Sequence, residues 1–274
     1  MVAASRKLRD LEQDLVGQFT AEINRKFQEM HDCDEGLPHL VGTALGAQDT
    51  ELADYMFGAN GRYSLIEFKA AENRIFTEKD KKLRIKLFEE LRLDSAMLNR
   101  AQDVHHVAWG VDLPIIGDAK MGRPNAQRVI KIAQYASKVS SSIKFPLTTK
   151  RSYEWNSPEY IADFMEAKTT GSNVKRFKRY LEELYKIAGQ DASGALNELQ
   201  GTVIIYFDEF EGKSETIRTI PFYGFEDLLM HTINYDKSYV AGKRQQMIEK
   251  ERQHQREIES QLAPKKEHDR GMRP

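Results

Sequence analysis

Leu52-Ala53-Asp54-Tyr55-Met56-Phe57-Gly58-Ala59-Asn60-Gly61-Arg62-Tyr63-Ser64-Leu65-Ile66-Glu67-Phe68-Lys69-Ala70 is the stretch on which the fold turns. Two short apolar runs, 52–57 and 63–70, flank Gly58-Ala59-Asn60-Gly61, and an Asn-Gly pair between such runs signals a β-hairpin. Side chains alternate faces along a strand, so Glu67 and Lys69 share one face while Ile66, Phe68 and Ala70 share the other. Burying a charged pair in an apolar strand costs free energy unless the pair is satisfied or binds something. The hairpin lets Asp54, on the first arm, lie near Glu67 and add a second carboxylate. Paired carboxylates with a backbone carbonyl are the oxygen ligands that Mg2+ prefers, and a lysine beside them can orient water or stabilise developing charge. The plainer alternative is a surface cross-strand salt bridge worth about 0–1 kcal/mol.

The flanks extend this picture. Upstream, Leu8, Leu11, Leu15, Val16, Phe19, Ile23 and Phe27 recur at spacings of three and four, which predicts a long amphipathic helix from about residue 5 to 30. Downstream, Leu83, Leu87, Phe88, Leu91, Met97 and Leu98 predict a helix within 77–100, and Val104–Val111 reads as a third strand. An Asp-x-Lys also occurs at Asp80-Lys81-Lys82, on a polar helix start, so the tripeptide alone is weak evidence. The apolar strand around Glu67-Phe68-Lys69 and its hairpin partner give that copy its weight.

Further along, a basic helix is expected over 126–138 and helices over 157–164 and 173–187. A loop is expected at 189–194, strands at 202–207 and 216–221, and a short helix at 225–233. Residues 238–262 are helix-like with too few apolar positions for a core, which suggests a helix that protrudes or docks on a partner protein or a second copy, followed by a tail expected to be disordered. The expected organisation is a core at 1–118, its continuation at 119–235 with the basic helical segment and a second hairpin, and the charged helix and tail at 236–274.

Charge is unevenly distributed. The 274 residues carry 41 Lys and Arg against 42 Asp and Glu, a net charge of −1. Residues 119–151 hold eight basic side chains and no acidic one, and 119–179 carries +9, leaving −10 elsewhere. Lys120, Arg123, Arg128, Lys131 and Lys138 are the candidate phosphate contacts of this segment, since a basic face is the footprint of nucleic-acid binding. A solvated pair of basic helices facing acidic neighbours is the competing explanation.

At this point the chain resembles the PD-(D/E)xK nuclease superfamily, over roughly residues 15–112. The order of helix, hairpin, helix and strand matches, with Asp54 on the first arm and Glu67-Phe68-Lys69 on the second; Ala53 stands where the family name has proline. The resemblance implies an α/β fold of the α+β type, a restriction-endonuclease-like mixed sheet flanked by helices. It further implies Mg2+- or Mn2+-dependent hydrolysis of phosphodiesters. Asp54, Glu67 and the Phe68 carbonyl would hold the metal, Lys69 would stand next to the attacking water, and Glu22 on the first helix would supply a further acidic group. The expected function is a DNA nuclease; the alternative is a non-catalytic nucleic-acid-binding or scaffold subunit of a larger assembly.

Other chemistries are disfavoured. One cysteine, Cys33, excludes an internal disulfide framework and any multi-cysteine zinc site. Val203–Glu209 followed by Gly212-Lys213-Ser214 lacks the complete phosphate-loop pattern. No nucleophile elbow is present for Ser/His/Asp chemistry. His105 and His106 fall on opposite faces of a strand, which points to structural histidines rather than joint metal ligation. No segment has the roughly 18 apolar residues of a membrane span and the first residues hold no apolar run, so a cytoplasmic protein is expected.

Overall fold

The computed structural model describes residues 2–32, 39–45, 53–59, 61–114, 126–149, 152–207, 216–232 and 252. Lys120, Arg123, Cys33 and nearly all of 236–274 lie outside them. A nine-stranded sheet runs in the order β6-β5-β4-β3-β2-β1-β8-β9, with β7 paired to β3. The elements are α1 (Val2–Asp32), β1 (His39–Ala44), β2 (Tyr55–Ala59), β3 (Arg62–Lys69), a 3-10 helix (Glu72–Asp80), α2 (Lys82–Leu93), α3 (Ser95–Val104) and β4 (His105–Pro114). They continue as β5 (Ala126–Gln134), α4 (Tyr135–Ile143), β6 (Glu154–Asn156), α5 (Ser157–Met165), β7 (Ser172–Asn173), α6 (Val174–Ala188), α7 (Ala192–Asn197), β8 (Gln200–Phe207) and β9 (Thr216–Tyr223). A short helix at 225–232 follows. The fold is therefore α+β, a mixed sheet between two helical layers.

β1, β2 and β3 form an antiparallel meander. The chain then crosses over through α2 and α3 and returns as β4, parallel to β3. The pairings β4–β5, β5–β6, β1–β8, β8–β9 and β3–β7 are antiparallel. The hairpin is where the sequence put it: Ala59 faces Arg62, and Gly61 takes φ +68, the left-handed conformation that an Asn-Gly turn requires. β3 is central, and every residue of it after Arg62 is buried.

The two layers follow strand parity. Leu15, Phe19, Ile23 and Phe27 of α1 pack with Tyr55, Phe57, Ile66, Phe68 and residues of α5 on one face. Met56, Tyr63, Leu65, Val107 and Trp109 pack under α2, α3, α4 and α6 on the other. At about 25 cal/mol per Å2 of apolar surface, each such buried side chain contributes roughly 1.5–3 kcal/mol.

Three expectations are corrected. The helix expected at 77–100 is three elements: extended Lys81 separates the 3-10 helix from α2, and Asp94 caps α3 by accepting from the Ala96 and Met97 amides at 2.8 and 2.9 Å and so ends α2. The basic helix expected at 126–138 is strand β5 to Gln134 and helix only from Tyr135. Ile130 and Ile132 enter one core and Ala133 the other, and nine residue pairs with β4 override local helical spacing. Strand β1 was missed, and the expected loop at 189–194 contains the start of α7, capped by Asp191 on the Gly194 amide at 3.0 Å.

Candidate active site

The register of the β2–β3 hairpin, Tyr55 opposite Ile66, puts Asp54 just before β2 and level with Glu67. Asp54 and Glu67 therefore meet at the carboxyl end of β3, on the face that also carries Met56 and Leu65. Asp54 Oδ2 accepts from the Phe68 amide at 2.5 Å. Lys69 Nζ lies 2.6 Å from Glu67 Oε1. The three residues singled out from the sequence are thus brought together.

The structure adds a second tier that the sequence did not announce. Glu78, at the end of the 3-10 helix, is fully buried, and its Oε1 lies 3.0 Å from Lys69 Nζ and 3.1 Å from Lys81 Nζ. Lys81 Nζ in turn lies 2.6 Å from Glu67 Oε1. Two carboxylate oxygens and two ammonium groups therefore alternate around a ring. Arg84 backs it: Nη2 donates to Glu67 Oε2 at 3.2 Å, and Nε lies 3.4 Å from Glu78 Oε2. Tyr135 donates its hydroxyl to Glu78 Oε2, and the His105 ring stacks on Tyr135 with centroids 4.0 Å apart. His105 Nδ1 is 3.0 Å from the Tyr180 hydroxyl.

Electrostatics separates the two catalytic candidates. Burial alone would raise the Glu67 carboxyl, but Lys69, Arg84 and Lys81 outweigh it and hold Glu67 well below the usual carboxylate range. Against the opposing effect of burial, the Glu67, Glu78 and Asp54 carboxylates hold Lys69 firmly protonated. Asp54 behaves in the opposite way: burial and the neighbouring Glu67 charge push it up to about 7, against the weaker pull of Lys69 and the Phe68 amide. Positive charge is in short supply at Asp54 and plentiful at Glu67. Burial, followed by the Arg84 charge, holds His105 well below its ordinary value, so it is a neutral member of the cluster.

The remaining candidates fall as follows. Glu22 is bonded to Gln18 Nε2 at 3.0 Å and to the Ser157 hydroxyl, on the α5 side of α1. The α1 carboxylate that reaches the end of β3 is Glu12, which accepts from the Ala70 amide at 3.2 Å. Arg128 donates to the Ala70 carbonyl from the α1 face, lying across Gly110, where a Cβ would come within 2.4 Å of Arg128 Nε. Lys131 faces Trp109, which faces Lys69, so these three share a row across the sheet. Lys138 Nζ sits 4.3 Å above the Trp109 ring and 2.6 Å from Glu72 Oε1. His106, on the opposite face, is tied to Ser64 at 2.9 Å and Tyr160 at 3.2 Å in a fully buried knot. Glu78 and Lys81 carried a faint signal, the Glu-x-x-Lys pair at the start of the polar run 78–82; Arg84 and Tyr135 carried none.

Among the described residues, no three His, Cys, Asp or Glu side chains converge to hold a metal ion; ammonium groups stand between Glu67 and Glu78. No helix among them is long and apolar enough to cross a membrane. Comparison with protein-family models, with curated proteins and with solved structures finds no match.

Proposed function

We propose that the chain is a metal-dependent nuclease that hydrolyses DNA phosphodiesters at the end of β3. The observation that carries this reading is the meeting of Asp54, Glu67 and Lys69 on adjoining strands of a helix, three-stranded meander, helix, parallel-strand unit. That order of elements also supports membership of the PD-(D/E)xK superfamily.

The donor set suits a hard divalent cation. Asp54 is a carboxylate short of positive charge, and Glu67 presents a second one level with it. Asp54, Glu67 and the Phe68 carbonyl would hold Mg2+ or Mn2+. A bound ion would supply Lewis acidity toward the phosphate and would favour deprotonation of water. The chain's own groups do the rest. Lys69, held by Glu67 and Glu78, positions the attacking water and places a fixed positive charge where the phosphate gains negative charge. Arg84 and Tyr135 fix the two glutamates, so that little reorganisation is needed when the charge develops. Lys131 and Lys138 stand along the same face as phosphate contacts.

One observation favours a second reading. Glu67 has no solvent exposure and both its oxygens already face cations, as in a purely structural ion cluster of a non-catalytic binding or scaffold subunit. A cleavage assay separates the two. Purified chain with Mg2+ or Mn2+ should cut DNA, and Asp54→Asn, Glu67→Ala and Lys69→Ala should each lose about 10²–10³-fold in rate while retaining a cooperative thermal melt. Cleavage by folded variants at the wild-type rate, or a wild-type chain that cuts nothing with either metal, overturns the nuclease reading.

A further inference from the structure

We infer that the Lys81 ammonium is a built-in plug of the cation site, lying between Glu67 and Glu78, and that a divalent cation binds by displacing it. This rests on the metal-dependent reading of the same cluster and adds Glu78 as a ligand and Lys81 as the group that sets affinity.

Four observations carry it. Lys81 Nζ bridges Glu67 Oε1 at 2.6 Å and Glu78 Oε1 at 3.1 Å, so a positive charge already occupies the space between two carboxylates. Glu78 Oε1 is buried and, although two ammonium groups lie near it, accepts no aligned hydrogen bond among the described residues. An oxygen that meets its ammonium neighbours as charges and not along aligned N–H bonds can take a spherical cation as readily. Lys81 is the cation of the cluster that can leave: its side chain is 40% exposed, against 8% for Lys69 and 1% for Arg84. It is also the N-cap residue of α2, with no side-chain cap bond there, and a positive charge at a helix N-terminus is unfavourable. Swinging outward therefore costs Lys81 little burial and relieves repulsion from the helix end. Lys69 and Arg84 have no such exit and stay as the permanent counter-charges.

Displacement has a direct consequence for selectivity. A monovalent ion gains nothing by replacing an ammonium of equal charge, whereas a divalent ion adds a unit of charge between two carboxylates. The plug thus biases the site against Na+ and K+ and toward divalent cations, without any change in ligand geometry.

The test is Mn2+ binding to the full chain, read from the electron-paramagnetic-resonance signal of free Mn2+ and by calorimetry, with no nucleic acid present. Lys81→Met should bind Mn2+ about tenfold more tightly or better, since one unit charge within contact distance is removed. Lys82→Met, an exposed neighbour with the same change in net charge, should stay near wild type. Glu78→Gln should weaken binding by a similar factor. Equal or weaker binding by Lys81→Met, or the same gain from Lys82→Met, overturns the inference, as does wild-type affinity in a folded Glu78→Gln chain. If Glu78→Gln fails to fold, the two lysine variants still decide. A chain that shows Lys81-dependent Mn2+ binding and cuts no DNA keeps the plug and loses the nuclease reading; cleavage with Lys81-independent binding does the reverse.

Discussion

Ile66 and Phe68 enter an aromatic cluster beneath α1, whereas Glu67 and Lys69, their immediate neighbours, enter an ion cluster beneath the 3-10 helix. Both neighbourhoods are buried, apart from the half-exposed Lys81 side chain. Under α1, Phe19 meets Phe68 edge-on at 5.6 Å and Tyr55 at 5.8 Å, and Phe57 stacks on Phe164 at 4.1 Å. Such contacts repay their own burial through area and ring geometry. On the other face Asp54, Glu67 and Glu78 are set against Lys69, Lys81 and Arg84, and charge balances formally. Desolvating each ion costs several kcal/mol, which the pairing roughly offsets, so the cluster contributes little net stability. The aromatic face anchors β3; the ionic face adds little to its stability.

Arg84 is the residue at which the ionic face is most vulnerable. If the ion cluster is a set of mutually dependent charges, Arg84→Met leaves Glu67 and Glu78 short of a buried partner and should destabilise the chain by about 3–5 kcal/mol. Urea denaturation of the variant measures it. A loss under about 1 kcal/mol would mean that the cluster relaxes by admitting water, and that its burial is incidental.

A second break point lies on the aromatic face, where the buried polar knot is made of neutral groups instead of ions. Burial holds the His106 imidazole at about 3, against an ordinary value of 6.5. The unfolded chain binds a proton in that interval and the folded chain does not. Stability is therefore complete above pH 6.5 and falls as pH drops toward 3, with about 2 kcal/mol lost at pH 5 from His106 alone. Denaturation midpoints at pH 8 and pH 5, with the imidazole followed by NMR, test this. An imidazole that titrates near 6.5 in the folded chain would contradict the dry, neutral character assigned to this face.

The difference between the faces also explains what the sequence could tell. The β2–β3 hairpin, α1 and the pairing of Asp54 with Glu67 and Lys69 were legible because they depend on local alternation, helical spacing and one Asn-Gly turn. β5 was misread because Val129, Ile130, Ile132 and Ala133 fit a helix face nearly as well as a strand, and only β4, some twenty residues away, decides. Arg84 and Tyr135 gave no signal, and Glu78 only a faint one, for a related reason. Each is an ordinary residue on its own helix, and it becomes part of the site only when the crossover after β3 folds back over that strand's end. Glu12 replaces Glu22 as the α1 carboxylate near the end of β3 because helix phase alone does not say how far along the sheet α1 sits.

The smallest expected effect on stability separates the two kinds of basic residue around the site. Arg128 is a bracket: it holds the Ala70 carbonyl and lies 3.7 Å from Asp112, so its loss acts on the fold. Lys131 and Lys138 instead pair with Glu154 at 3.7 and 3.3 Å, and Lys138 with exposed Glu72, contacts that a phosphate can replace. Their loss should cost no more than about 1 kcal/mol of stability each. If they are phosphate contacts, Lys131→Met and Lys138→Met should each lower DNA affinity and reduce the slope of log K against log salt by about 1. Fluorescence anisotropy on an Asp54→Asn background, which separates binding from cutting, reads both quantities. An unchanged salt slope in both variants would assign these lysines to the solvated surface, and would move the nucleic-acid contact away from the row that runs from Lys69 through Trp109 to Lys131.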